Sequence, residues 1–312
     1  MAEMFLQTVT QIVSMILVGH LGAGAVTSIG ISTQPLNMLM GVFQGIAVAV
    51  TALVARSIGA GRKEDASRAA AQGVTLATIV ALAASALMLT KARAVVVWMG
   101  AGPDVVRQAT QYLLVMTPGL FFLWISAVIT GALRGAGDNK TPMKINMTIS
   151  LLSFAGNIVL VYGLFGFPAL GVLGAGLATS IARVAGGLLL LVPYLAGRLT
   201  LPCRFPSDFK WDKSLMARVL RVGVPGTAER LMISASGLFY ARMVAGLGSV
   251  SYAAHTIGIN AESISYMPGN AFAIAATTLV GQNLGADRPD LAERSTYGCS
   301  RTGSSLRLPT VS

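Results

Sequence analysis

Charged residues are scarce in this chain. They make up 11% of its 312 residues, whereas a soluble globular domain carries about 25%. Hydrophobic residues make up 54%, and the mean hydropathy is +0.69. A soluble protein of this length would need more charged residues to cover its surface. The composition therefore excludes a water-soluble globular protein.

Histidine and cysteine are nearly absent, which removes most patterns of metal and catalytic sites. His20 and His255 are isolated, and Cys203 and Cys299 have no metal-ligand neighbour at a usable spacing. A disulfide between those cysteines is not expected in a cytoplasmic linker and tail. No phosphate loop, nucleophile elbow or metal-binding helix motif occurs. The sequence predicts a protein that is not an enzyme and that has no metal or organic cofactor.

Long apolar runs fill most of the chain instead. Each is about twenty residues long, the length at which a helix crosses roughly 30 Å of hydrocarbon. They lack strand alternation, and a backbone in lipid must satisfy its own hydrogen bonds, which favours helices. We predict an all-α polytopic membrane protein with about eight transmembrane helices, at residues 1–19, 32–55, 69–90, 109–132, 142–163, 172–196, 219–241 and 252–280.

Basic residues concentrate in alternate loops. Fifteen Lys and Arg residues lie in the segments after spans two, four, six and eight, against four in the segments on the opposite side. The positive-inside rule places the basic loops in the cytoplasm, together with the amino terminus. The same distribution explains the net charge of +11. No basic cluster is interleaved with aromatics, so nucleic-acid binding is not predicted, and the multi-pass chain is assigned to the cell inner membrane.

Two stretches of the chain repeat each other at an offset of 226 residues. "TALVARSIGAGRKEDASRA" at 51–69 corresponds to "TTLVGQNLGADRPDLAERS" at 277–295, so that Gly59 pairs with Gly285. A single ungapped offset over a long stretch indicates a duplication. Six predicted spans fit within the offset, and because six is even, both copies enter the membrane in the same direction. The sequence therefore predicts parallel pseudo-repeats.

The repeat divides the chain into four parts. Residues 1–196 are predicted to form one complete six-helix bundle, 197–218 a cytoplasmic linker that serves as a hinge, and 219–295 the first two helices of a second bundle. Residues 296–312, "TYGCSRTGSSLRLPTVS", contain no apolar helix where the repeat requires one. The chain is therefore expected to be trimmed by about ten residues at the front and about four spans at the back, with a non-family tail that reads as out-of-frame translation.

Several motifs carry a family resemblance. "LRGAGDNKTP" at 133–142 and "TTLVGQNLGA" at 277–286 resemble motifs of the multidrug and toxic compound extrusion (MATE) family, and weaker similarity covers residues 1 to about 295. The resemblance implies twelve helices in two bundles with a V-shaped cavity between them. It also implies export of small organic cations and xenobiotics, driven by inward Na⁺ or H⁺ as the coupling ion.

Two positions depart from the family pattern. Ser14 in "VSMILVG" stands where the family often has an aspartate, and Val161 in "NIVLVYG" stands at a second position that is often acidic. The first bundle therefore lacks these acids for ion coupling. Asn157, Gln34 and Asn37 are neutral polar candidates for the cavity, with helix-to-helix hydrogen bonds as the open alternative.

Carboxylates within spans are costly in hydrocarbon and tend to be functional. Glu229 in span seven and Glu262 in span eight, beside Asn260, are predicted to exchange a proton or Na⁺ against a cationic drug. An ion pair between Glu229 and a neighbouring arginine stays open as an alternative. Arg183, midway along span six, needs a partner or water.

Aromatic side chains of the second copy could stack on a flat cationic ligand. Tyr240, Tyr266 and Phe272 are the candidates, and ordinary helix packing is the alternative. The predicted function is cation-coupled antiport of organic cations, with this chain an inactive fragment because spans nine to twelve would line half of the cavity. A lipid-linked precursor flippase of the same superfold and a non-transporting scaffold remain alternatives.

The predicted topology places Cys203 and Cys299 in the cytoplasm. A membrane-impermeant maleimide is therefore expected to label them only after cells are permeabilised. As a control, Pro168→Cys in the predicted outer loop is expected to be labelled in intact cells. Labelling of Cys203 in intact cells would contradict the topology.

Overall fold

The fold is helical throughout the part of the chain that the computed structural model describes, residues 23–99, 103–163, 168, 170–201, 207–245, 269 and 271–305. No strand occurs among these residues, and the all-α prediction is confirmed. The helices are α1 (Ala23–Gly59), α2 (Lys63–Trp98), α3 (Pro103–Gly135), α4 (Lys140–Tyr162), α5 (Gly171–Leu195), α6 (Lys213–Ala245), α7 (271–285) and α8 (Pro289–Ser305).

Five of the described helical segments are long and apolar enough to cross a membrane. They correspond to predicted spans two to six and are Pro35–Gly59, Lys63–Trp98, Val106–Gly135, Lys140–Tyr162 and Gly171–Leu195. Predicted span one, at 1–19, lies outside the described residues, as does most of span eight. Helix α6 covers predicted span seven without being one of the five. The chain is a multi-pass membrane protein.

Helix α3 packs against α1, α2 and α5, and α5 also packs against α4. Between α1 and α3, the ring of Phe43 stacks on that of Trp124 with centroids 4.7 Å apart, and both side chains are fully buried. Next to this pair, Thr51 Oγ1 donates to the carbonyl oxygen of Gly131 at 2.9 Å. Apolar burial does not drive helices together in lipid, so such close polar and van der Waals contacts hold the bundle.

Part of the predicted hinge is attached to α2. The buried side chain of Gln72 donates from Nε2 to the carbonyl oxygens of Lys210 at 2.6 Å and Asp208 at 3.5 Å. Asp212 Oδ1 accepts from the backbone N–H groups of Ser214 and Leu215, which caps α6. Because of this cap, α6 begins at Lys213, earlier than the predicted start of span seven at 219.

Residues 296–305 continue α8 without a break, although the sequence shows no apolar span there. Thr296 and Thr302 donate from Oγ1 to the carbonyl oxygens of Ala292 and Gly298, at 2.9 and 2.8 Å. These bonds to the preceding turn satisfy hydroxyls within a polar helix. A search for apolar periodicity could not identify such a helix, because its side chains are small and polar.

The turn between α3 and α4 is organised by Asp138. Its carboxylate accepts from the backbone N–H groups of Lys140 and Thr141, at 3.1 and 3.0 Å, and from the hydroxyls of Thr141 and Thr200, both at 2.7 Å. Partial burial alone would raise the pKa of Asp138, but these hydrogen bonds outweigh it and hold the pKa below its usual value. The carboxylate thus ties the start of α4 to the segment after α5.

Replacing Asp138 by alanine is expected to lower the free energy of unfolding by about 1 kcal/mol, the usual size of a lost helix cap. A group whose pKa is lowered by folding stabilises the fold above its unfolded pKa and loses that effect as the pH falls. The difference between wild type and D138A in detergent unfolding is therefore expected to be full at neutral pH, to shrink as the pH falls below about 4, and to be lost once the pH passes the lower pKa of the folded state. Exposed Glu293 on α8 provides the control E293A, and equal losses in both variants would contradict the role of Asp138.

Candidate functional site

Several predicted site residues cannot be placed. Ser14, Asn260, Glu262 and Tyr266 lie outside the described residues. Gln34 belongs to α1, and its side chain is also outside the description. The site is therefore built from the candidates and contacts that the described helices carry.

The placed candidates fall into two environments. Asn157 on α4 is buried among the first five helices, with 1% of its surface exposed. Glu229 and Tyr240 lie on the exposed surface of α6, Asn37 is exposed on α1, and Phe272 on α7 is half-buried. The structure therefore does not gather these five residues into one cluster. Arg62 and Asp65 form an ion pair at 3.4 Å, and none joins Glu229 to an arginine among the described residues.

Helices α1 and α6 make a close antiparallel contact. A Cβ added at Gly45 would lie 2.7 Å from the backbone nitrogen of Thr227 and 2.9 Å from the carbonyl oxygen of Gly223. The hydroxyl of Thr227 donates to the carbonyl oxygen of Val42 at 3.4 Å. Arg230 also meets α1, at Gly41, and residue 229 lies roughly 100° around the helix from it, so exposed Glu229 lies to one side of this contact.

The end of α1 and the end of α7 meet backbone to backbone. A Cβ added at Gly59 would collide with the carbonyl group of Gln282, and one added at Gly285 would collide with the carbonyl group of Arg56. The 226-residue offset relates Gly59 to Gly285 and Arg56 to Gln282. The two collisions are therefore one contact made twice, as a local two-fold axis requires.

Position 281 lies close to this axis. The offset relates Gly281 to Ala55, and a Cβ added at Gly281 would lie 2.7 Å from that of Ala55. Gly281 neighbours Ala52 and Arg56, whereas Gly285 neighbours Arg56 and Ala60, so the numbers rise together along both helices. The two segments therefore run in the same direction, as the even number of spans within the offset requires.

Helix α7 is also bonded to the end of α3. Thr278 Oγ1 donates to the carbonyl oxygen of Arg134 at 3.2 Å, and Gln282 Nε2 donates to that of Gly135 at 3.0 Å. Both acceptors belong to the turn that contains "LRGAGDNKTP". The two motifs that the sequence singled out as most specific are thus in direct contact.

A polar cleft of about 520 Å³ opens between the turns that follow α1 and α7. Its lining comes from equivalent parts of the two copies and consists of Arg56, Gly59, Ala60, Arg62, Leu284, Gly285, Ala286 and Asp287. The predicted topology puts this junction on the cytoplasmic side. Sequence reasoning identified the repeat but missed the junction, for which glycine at equivalent positions of both copies was the available signal.

The comparisons with known proteins agree with this geometry. The MatE family model matches residues 1–159 and 225–311. The probable multidrug resistance protein NorM of Thermotoga maritima is 32% identical over 289 residues, which cover 90% of this chain and 60% of that protein. Probable multidrug resistance protein YoeA of Bacillus subtilis is 31% identical over 295 residues, covering 91% and 62%.

Solved structures share the fold. A MOP superfamily transporter from Pyrococcus furiosus, described as having a binding pocket of reverse polarity, superposes with a TM-score of 0.90 at 25% identity. The match covers 97% of this chain and 67% of that one. An outward-facing multidrug resistance MATE family transporter gives a TM-score of 0.89 at 24% identity, with the same two coverages.

Fold and comparisons together define a polytopic helical membrane protein that shares the fold of solved MATE family structures. The chain belongs to the MatE family, whose model matches both copies of the repeat. The relatives are named as multidrug resistance proteins, and the prediction that the chain is not an enzyme is confirmed. The second matched segment extends over residues 296–311, which the sequence had set apart from the family. The chain spans about 60% of the length of its curated relatives.

Alanine at Gly59 or at Gly285 is expected to destabilise the contact between the copies. The added methyl group meets backbone that cannot rotate away, and overpacking of this kind costs about 1–3 kcal/mol. Because the two sites are equivalent, G59A and G285A should lower the thermal unfolding midpoint in detergent by similar amounts.

The matched control is Gly298→Ala on α8, where an added Cβ meets nothing within 4 Å. This variant is expected to unfold at or above the wild-type temperature, since alanine favours a helix over glycine. Unfolding of G59A and G285A at the wild-type temperature would refute the close contact.

Proposed function

We propose that this chain acts in a cation-coupled antiporter that exports organic cations and drugs across the cytoplasmic membrane. The observation that carries the proposal is the paired contact of Gly59 with Gln282 and of Gly285 with Arg56. It joins two parallel copies about a local two-fold axis, the arrangement in which transporters bind substrate at the repeat interface. Membership of the MatE family and the names of the relatives support the drug class.

The proposed architecture follows the repeat. It consists of about eight transmembrane helices, with one six-helix bundle at 1–196, a linker at 197–218 and the start of a second bundle at 219–295. The amino terminus and the basic loops lie in the cytoplasm. A junction held closed on that side would leave the opposite side free to open, so separation of the two turns would be the step that admits a drug.

The proposed coupling uses Glu229 and Glu262, with Asn260 as a neighbouring ligand. A carboxylate that holds a proton or Na⁺ no longer attracts an organic cation, so entry of the ion displaces the drug. Glu229 is exposed on α6, beside the contact with α1, which leaves its oxygens accessible to such ligands. No organic cofactor takes part, and the coupling ion is Na⁺ or H⁺.

Neutral and aromatic groups are proposed to shape the cavity. Ser14, Gln34, Asn37 and Asn157 contribute hydrogen-bonding groups from the first bundle. The rings of Tyr240, Tyr266 and Phe272 are proposed to stack on a flat cation. Tyr240 lies on the exposed surface of α6.

A lipid-linked precursor flippase is the alternative within the same superfold. A flippase would need a cationic cavity to hold phosphate groups, and Arg183 in the middle of α5 is the observation that favours it. The names of the relatives favour drug export instead. A non-transporting scaffold would bind neither kind of ligand.

Binding of tetraphenylphosphonium to the purified chain tests the proposal. We expect E229Q and E262Q each to weaken binding about tenfold, the effect of removing one charged contact, and Na⁺ or acid to compete with the ligand. The control E293Q on α8 should bind like wild type. If wild type lowers the accumulation of ethidium in a host cell, the double variant E229Q/E262Q should not lower it. Unchanged binding by the double variant E229Q/E262Q would overturn the assigned carboxylates.

A further inference from the structure

Arg183 stands apart from the other charged residues of α1 to α5. It occupies the middle of α5, whereas every other Lys, Arg, Asp or Glu of these helices lies within roughly two turns of a helix end. An ionisable residue at this depth is costly in hydrocarbon and indicates a function.

The side chain of Arg183 points into the bundle. The exposed residues of α5 form a lipid-facing stripe that contains Ile181, Leu188 and Val192. Helical spacing puts Arg183 on the opposite side, with buried residues such as Ser180 and Leu190. Arg183 itself is half-buried, so part of its side chain stays accessible.

Helices α3 and α4 form the other walls of this region. A Cβ added at Gly187 would lie 2.6 Å from that of Phe122 on α3, and Gly186 packs against Ile149 on α4. Gly176, two turns before Arg183, contacts the ring of Tyr112 on α3. Because side chains on a helix lean towards its amino-terminal end, the guanidinium extends towards Tyr112.

The guanidinium has no bonded partner in the described part of the chain. It carries five N–H donors and no acceptor, yet no hydrogen bond or ion pair joins Arg183 to another described residue. The neighbouring contact between α4 and α5 is polar but uncharged: the hydroxyls of Ser153 and of Thr179, one turn before Arg183, lie 3.4 Å apart. No described carboxylate lies at this depth, so the local charge is positive.

We infer that Arg183 is the anchor of an anion-binding site inside the first five helices, which takes the carboxylate of an organic acid or zwitterion. The planar guanidinium matches both oxygens of a carboxylate. In this proposal the hydroxyl of Tyr112, whose ring contacts Gly176 two turns before Arg183, donates a further hydrogen bond to the same ligand. The site lies apart from Glu229 and does not depend on the proposed cation coupling.

The test uses the full chain in nanodiscs of neutral phosphatidylcholine, with 2-naphthoate as the probe and the uncharged 2-naphthamide as its matched analogue. Calorimetric titration of wild type is expected to show that 2-naphthoate binds at least about tenfold more tightly than 2-naphthamide. R183Q should abolish this preference. R183K should keep part of it, because lysine retains the positive charge but lacks the planar guanidinium that binds both carboxylate oxygens. R107Q, at an exposed arginine near the start of α3, should bind like wild type.

Equal affinity of wild type for 2-naphthoate and 2-naphthamide would overturn the site. This comparison uses wild type alone, so it does not depend on whether a variant folds. Retention of the full preference by R183Q would overturn the role of Arg183. Binding of phosphatidylglycerol with no binding of naphthoate would overturn the ligand class. E229Q/E262Q is expected to bind naphthoate normally, so failure of the cation proposal and failure of the anion site remain distinguishable.

Discussion

Helices in a membrane cannot rely on apolar burial to hold each other, because lipid is as apolar as their own side chains. Close approach of backbones is the alternative, and it requires residues without a large side chain at the contact. In this chain that requirement is met at Gly45 between α1 and α6, and at Gly59 and Gly285 between α1 and α7. The glycines therefore explain why the same phrase occurs twice: each copy supplies one side of a two-fold contact and needs the glycine that makes room for the other.

Hydrogen bonds around the junction join the ends of neighbouring helices in addition to this packing. Gln282 and Thr278 bind the carbonyl groups at the end of α3, while Asp138 ties the start of α4 to the segment after α5. Gln72 holds the linker on α2 and so fixes the start of α6 near the first bundle. These bonds lie on the predicted cytoplasmic side, whereas the interior around Arg183 is polar and weakly bonded. Such a division suits a transporter that is closed at one end and binds ligand deeper in the membrane.

Hydropathy and the 226-residue offset were enough to predict the helical class, spans two to six and the parallel direction of the copies, because those features depend on local composition and on an even count of spans. The sites were less accessible. Glu229 stood out as an acid in an apolar run, but its exposure depends on how α6 packs on α1, which no local pattern encodes. Residues 296–305 form a helix through short hydroxyl bonds that hydropathy ignores. The importance of Gly285 emerges only when its neighbour in space, Arg56, is known to be the repeat equivalent of Gln282, which is the neighbour of Gly59.

The central claim is that two parallel copies of one helical unit meet about an axis that passes near Ala55 and Gly281. Disulfide cross-linking of A55C with G281C, in a chain lacking Cys203 and Cys299, tests it most directly. A disulfide needs Cβ atoms about 3.5–4.5 Å apart, and from the 2.7 Å of this pair a small outward shift of the two helices reaches that range. The account predicts rapid cross-linking of this pair in native membranes and none between A55C and a cysteine at exposed Tyr297. Two reactive but uncrosslinked cysteines at 55 and 281 would contradict it.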